Sequence, residues 1–186
     1  MGYAEATLSD RSGTLRSMDT VVVDLGEETL PHEMNDAFGH WLAGFIDGEG
    51  CFVIAKREDP KYGARYQCRF SVNMRADERP MLEEIVARTH IGRIEAKKAD
   101  RKSRRGNPQA VWMVTSQREC LMLVELLDRY PLRAKKRRDY TIWREAVILW
   151  CGWAMDNPRH FKRDWRPLGR LRERLMDGRR YREAVT

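Results

Sequence analysis

An α+β domain with its elements in the order α-β-β-α-β-β-α-α is what this sequence predicts. Three observations carry the expectation. Apolar residues recur at helical spacing from Phe38 to Ile46. The period changes to strict alternation after Gly50, and a second helix–strand–strand passage follows before two closing helices. Residues 35–152 hold this domain, between an N-terminal extension at 1–34 that reads as flexible and a basic helical tail at 153–186.

The first helix sets Phe38, Trp41, Leu42, Phe45 and Ile46 at i, i+3, i+4, i+7 and i+8, a single apolar face expected to pack on the core. Its opposite face is Ala43, Gly44, Asp47 and Gly48, nearly all small. Each glycine costs ~1 kcal/mol relative to alanine inside a helix, so two of them four apart imply close approach of a second backbone. Asp36 is the expected N-cap. Gly50 is the expected left-handed C-cap, which leaves Glu49 in the last turn, at the negative end of the helix dipole. If the partner helix is a symmetry copy, two such carboxylates meet and repel unless a cation joins them. Oxygen donors of this kind suit Mg²⁺, and paired metals flanking a phosphate are one route to phosphodiester cleavage.

Strands follow at Cys51–Arg57 and, after a loop punctuated by Pro60 and Gly63, at Arg65–Met74. The second of these alternates most cleanly. Tyr66, Cys68, Phe70, Val72 and Met74 share one side, and Arg65, Gln67, Arg69, Ser71 and Asn73 share the other, without an acid among them. Such a face matches phosphates and base edges. Asp77 is placed to cap a helix over Glu78–Thr89, with Pro80 in its first turn. Strands at Ile91–Ala99 and Gln109–Thr115 flank a linker that contains Arg101, Lys102, Arg104 and Arg105. Helices over Gln117–Arg129 and Ala134–Trp150 are separated by Tyr130-Pro131, and Asp164–Tyr181 reads as a short amphipathic helix docked on the body.

Composition narrows the partner. Charged residues make up 34% of the chain and mean hydropathy is −0.67, with no apolar run long enough to cross a membrane and no signal-peptide pattern. The net charge of +7 divides into −5 for residues 1–34, +7 for 35–154 and +5 for 155–186, so the positive charge lies on the domain and tail. That favours a polyanion, nucleic acid first. The four cysteines are widely spaced, which suits reduced thiols in the cytosol or an organelle matrix, in a protein that is not secreted.

The run Leu42-Ala43-Gly44-Phe45-Ile46-Asp47-Gly48-Glu49-Gly50 resembles the signature of the LAGLIDADG homing endonucleases. The element order over residues 36–151 resembles one domain of that family, whose fold places a four-stranded antiparallel sheet against DNA. The resemblance implies a sequence-specific, Mg²⁺- or Mn²⁺-dependent endonuclease that cuts both strands across the minor groove, leaving short 3′ overhangs. One motif and no internal repeat imply a homodimer, with Ala43, Gly44, Asp47 and Gly48 at the interface. Asp47 is expected to cap or to hydrogen-bond across the helix pair rather than hold metal. Glu49 is the expected metal ligand and catalytic acid, helped by the Gly48 carbonyl. Lys135, then Lys136, is the expected active-site lysine, and the end of the second strand offers Asn73 or Arg75 as an assisting polar group.

On this reading the DNA readers are Arg65, Gln67, Arg69, Ser71 and Asn73, then Arg57, Arg93, Glu95 and Lys97, with Arg104 and Arg105 from the linker. At ~3.3 Å per residue an eight-residue strand follows about eight base pairs, so two subunits would span roughly 18–22 on an imperfect palindrome. The partners are double-stranded DNA and a second copy, with no membrane and no small-molecule cofactor. A repressor without cleavage, or an RNA maturase, on the same scaffold is the alternative.

Overall fold

The computed structural model describes residues 8–9, 15–16, 34–60, 63–97, 107–156 and 164–177. A short antiparallel pair, β1 (Leu8–Ser9) and β2 (Leu15–Arg16), comes first. The domain then runs α1 (Asp36–Glu49), β3 (Gly50–Asp59), β4 (Gly63–Arg75), a 3₁₀ turn at Ala76–Glu78, α2 (Arg79–Thr89), β5 (Arg93–Lys97) and β6 (Gln109–Val114). The helices α3 (Gln117–Arg129), α4 (Lys136–Asp156) and α5 (Arg166–Asp177) complete it. From α1 to α4 the helix and strand order matches the expectation. The four long strands form one antiparallel sheet in the order β3-β4-β6-β5.

Helix α1 starts one residue earlier than Asp36 suggests, because the Asn35 side chain accepts the Phe38 N–H at 2.8 Å. Asp36 is used differently: the Tyr130 hydroxyl donates to its carboxylate at 2.8 Å, and that bond holds the Asp36 carboxyl below its ordinary range. Gly39 is needed at the same contact, since a Cβ there would come within 2.4 Å of the Tyr130 ring. The far end also differs from expectation. Gly50 is extended (φ −65°, ψ 148°) rather than left-handed. Its lack of a side chain serves an immediate turn from helix into strand, where a Cβ would lie 2.6 Å from the Ile46 carbonyl and 2.8 Å from the Phe70 ring.

The apolar face of α1 is narrower than its spacing implies. Leu42, Ala43 and Ile46 are buried, whereas Trp41 is 46% exposed. Trp41 stacks on Phe45 with centroids 5.6 Å apart and lies 5.4 Å from Phe38, a surface aromatic row beside the core.

Strand β3 pairs along its whole length with β4, from Gly50↔Val72 to Asp59↔Gly63. Strand β6 joins only the second half of β4, from Phe70↔Val114 to Arg75↔Gln109. The inward side chains Phe52, Ile54, Cys68, Phe70, Val72, Trp112 and Val114 are all 2% exposed or less. Tyr140 and Trp143 from α4 meet Phe52 at 5.7 and 5.3 Å, and the Trp112 indole donates to the Ile91 carbonyl at 2.8 Å. Asp77 does not cap α2. It pairs with Arg75 at 2.7 Å, and Glu78 holds the cap position without a side-chain bond.

The tail helix packs as expected. Leu168, Leu171 and Leu175 of α5 are buried in the common core, and Gly169 sits under the Tyr66 hydroxyl. Among the described residues, no helix is long and apolar enough to cross a membrane.

Candidate active site and nucleic-acid interface

Two backbone reversals bring the chemistry together. Helix α1 ends at Glu49, and the turn after α3 leads into α4 directly beside it. Asp47 joins the two: its Oδ2 accepts the N–H groups of Arg133 at 2.8 Å and Ala134 at 2.6 Å. Asp47 is thus a cap within its own chain. Its other oxygen, Oδ1, is buried and has no hydrogen-bond partner. Held this way, the start of α4 delivers Lys136, which donates from its ammonium to the Gly48 carbonyl. Lys136, the second choice from sequence, is therefore the lysine held on the residue before Glu49. Lys135 lies one residue back, and both lysines line an open depression with Ala134, Arg137, Arg138, Asp139 and Thr141.

Glu49 and Gly48 are both exposed. A carboxylate next to a backbone carbonyl is a hard oxygen pair of the kind Mg²⁺ uses, and the Lys136 ammonium on that carbonyl acts as a stand-in cation. The pair is only part of a site. Among the described residues, no three His, Cys, Asp or Glu side chains converge to hold a metal by themselves.

Half of the small face of α1 is open. A Cβ built on Gly44 or Gly48 meets nothing within 4 Å, and both are exposed. Ala43 is 4% exposed inside the core, so it does not lie on that face. The place expected for Ala43 and Asp47 is taken by Ala37 and Trp41, which with Gly44 and Gly48 form one exposed stripe. Tryptophan at i+3 from Phe38 reads as core by periodicity, and only the narrowness of the buried stripe reveals otherwise.

The sheet gathers most of the predicted readers on its outward face. In register across the strands stand Arg57↔Arg65, Ser71↔Met113↔Arg93, Asn73↔Val111↔Glu95 and Arg75↔Gln109↔Lys97. Gln67 and Arg69 share that face, opposite Ala55 and Val53. Gln67, Arg93 and Glu95 are already engaged. Gln67 donates to the Thr115 carbonyl at 3.0 Å, and Arg93 binds Glu95 at 2.6 Å and the Thr115 hydroxyl at 3.1 Å. Thr115 thus orients both, a role with no signal in the sequence because it depends on register. Arg75 pairs with Asp77, while Asn73 is the outward residue next after Val72, the partner of Gly50. Arg104 and Arg105 lie outside the described residues.

The model of the LAGLIDADG endonuclease family matches residues 42–147, more than half of the chain. The chain belongs to the LAGLIDADG endonuclease family. An uncharacterised 50.9 kDa protein in ND4 intron 1 of Podospora anserina is 27% identical over 65% of this chain and 26% of its own length. The chain therefore spans about a quarter of that relative. Among solved structures, the LAGLIDADG meganuclease I-AabMI bound to uncleaved DNA is 30% identical, with a TM-score of 0.53 over 67% of this chain and 40% of that one. The archaeal intron-encoded homing endonuclease I-Vdi141I complexed with DNA shares the fold at a TM-score of 0.62 and 23% identity, covering 81% of this chain and 89% of that one. The four-stranded antiparallel sheet flanked by helices is the LAGLIDADG fold, with the motif helix as α1.

Proposed function

We propose that this chain is a homodimeric, divalent-metal-dependent DNA endonuclease that recognises a long, imperfectly palindromic site. One observation carries the reading. The Lys136 ammonium donates to the Gly48 carbonyl, one residue before the exposed Glu49, where α1 passes into the first strand of the basic sheet. Each element has a task that follows from its chemistry. The outward arginines and amides of β3–β6 contact phosphates and base edges in the major groove. Glu49 and the Gly48 carbonyl of each subunit would hold Mg²⁺ or Mn²⁺. Such a cation neutralises phosphate charge and lowers the pKa of water at neutral pH. Lys136 stands ready to offset the charge that develops as the phosphodiester opens.

The second copy is argued from what one chain lacks. A single chain brings one motif carboxylate, and its bare Gly44–Gly48 stripe beside Trp41 is an incomplete helix interface. An isologous pairing through that stripe would set two Glu49 side chains near one axis.

The test uses DNA made by joining the sequences that flank the coding region, incubated with the protein in Mg²⁺ or in chelator. A double-strand cut at one site in Mg²⁺ alone supports the reading. Binding of that DNA without a cut in either condition would favour a repressor, and tight binding of intron RNA instead would favour a maturase.

A further inference from the structure

The outward columns of the sheet are not uniformly polar. On β4 the column is Arg65, Gln67, Arg69, Ser71 and Asn73, but on the neighbouring β3 it is Cys51, Val53 and Ala55 before it reaches Arg57. With the inward Phe52 and Ile54 between them, five consecutive residues of β3 are apolar. That is the pattern of a strand buried on both faces. In this chain only one face is buried: Phe52 and Ile54 are 1% and 2% exposed, whereas Cys51, Val53 and Ala55 stay half-buried. Strand β3 is also an edge strand, paired among the described residues with β4 alone.

Resting on the DNA-binding reading above, we propose that this column reads thymine. The same face carries Arg57, Arg65, Arg69 and Arg93, so its covering partner is a polyanion. An apolar side chain pressed on a base edge leaves any hydrogen-bonding group there unpaired, at a cost in affinity. The thymine C5-methyl is the apolar feature a major groove offers, and valine or alanine meets it without that cost. Cys51 behaves here as a small hydrophobe with a weak donor. Alternate strand residues are ~6.6 Å apart and base pairs 3.4 Å, so the three side chains face every second base pair. Cys51 follows Glu49 by two residues, which sets its thymine nearest the cut and those of Val53 and Ala55 progressively outward.

The experiment selects binding sites from a randomised duplex library with the full chain carrying Glu49→Gln, then exchanges single thymines for uracil, which removes only the methyl. The expected result is thymine at alternating positions in each half-site and about fourfold weaker binding for uracil at the position facing Val53. In Val53→Ala the uracil penalty at that position should shrink, and in Val53→Gln the preferred base there should change. Selected sites without alternating thymine would overturn the inference while leaving DNA recognition standing. So would equal binding of thymine and uracil duplexes. Failure to enrich any duplex would overturn the endonuclease reading itself, and this inference with it.

Discussion

Lys136 rests on the carbonyl of Gly48, one residue before the motif glutamate, although 88 residues separate them in sequence. The contact makes a specific division of labour among the basic residues that open α4. Lys136→Met should reduce cleavage by ~100-fold, the scale seen when one transition-state charge partner is removed, with site binding held within a few-fold. Lys135→Met should act mainly on binding. Single-turnover cleavage and gel-shift titrations on the same duplex separate the two effects.

Asp47 holds the turn that carries Lys136, and its chemistry there can be told from metal ligation. Asn caps as well as Asp, so Asp47→Asn should keep the bonds to the Arg133 and Ala134 amides and retain most of the activity. Asp47→Ala should lose ~1 kcal/mol of stability in urea unfolding and should slow cleavage by freeing Lys136. A loss of cleavage in Asp47→Asn as deep as that in a Glu49 variant would make Asp47 a metal ligand instead.

The bare stripe of α1 gives a prediction of opposite signs. In an isolated chain Gly44→Ala adds a side chain in open space and should raise helix stability by up to ~1 kcal/mol. In a dimer packed through Gly44 the same methyl separates the backbones. Sedimentation should therefore show a weaker dimer for Gly44→Ala and monomer for Gly44→Arg, with the far-ultraviolet circular dichroism unchanged. Equal dimer affinity in all three proteins would place the interface elsewhere.

The fold was legible in the sequence wherever periodicity is long. The alternation over Arg65–Met74 is long enough to make the two faces of β4 unambiguous, and the expected outward set is the one observed. The motif run named the acid at the end of α1. What periodicity missed was decided by single contacts. Asn35 rather than Asp36 caps α1 because Tyr130, 94 positions further on, claims Asp36. Trp41 lies outside because the core behind α1 has room only for Leu42, Ala43 and Ile46. The choice between Lys135 and Lys136 turned on one step of helix rotation, set by the Asp47 cap, which no local pattern encodes.

Burial separates the cysteines into two classes. Loss of hydration pushes the Cys151 thiol up to about 12, and Cys68 and Cys120 are raised still further by the same cause. These three should resist a thiol reagent at pH 8 in the folded chain, while half-buried Cys51 reacts first. The sign of the pH effect follows. Unfolded thiols ionise near 9.0 and the buried ones do not, so stability is intact below that pH and falls as pH rises from there toward about 12. Urea midpoints across that range check it.

The central claim is that one Glu49 from each subunit sits at the reacting phosphates. The most direct measurement compares wild type with Glu49→Gln on a bound target duplex in Mg²⁺, with affinity and double-strand cutting followed in the same samples. The account predicts equal affinity and at least ~100-fold slower cutting by the variant, because a neutral amide cannot replace the carboxylate at a metal. Undiminished cutting by Glu49→Gln would contradict it.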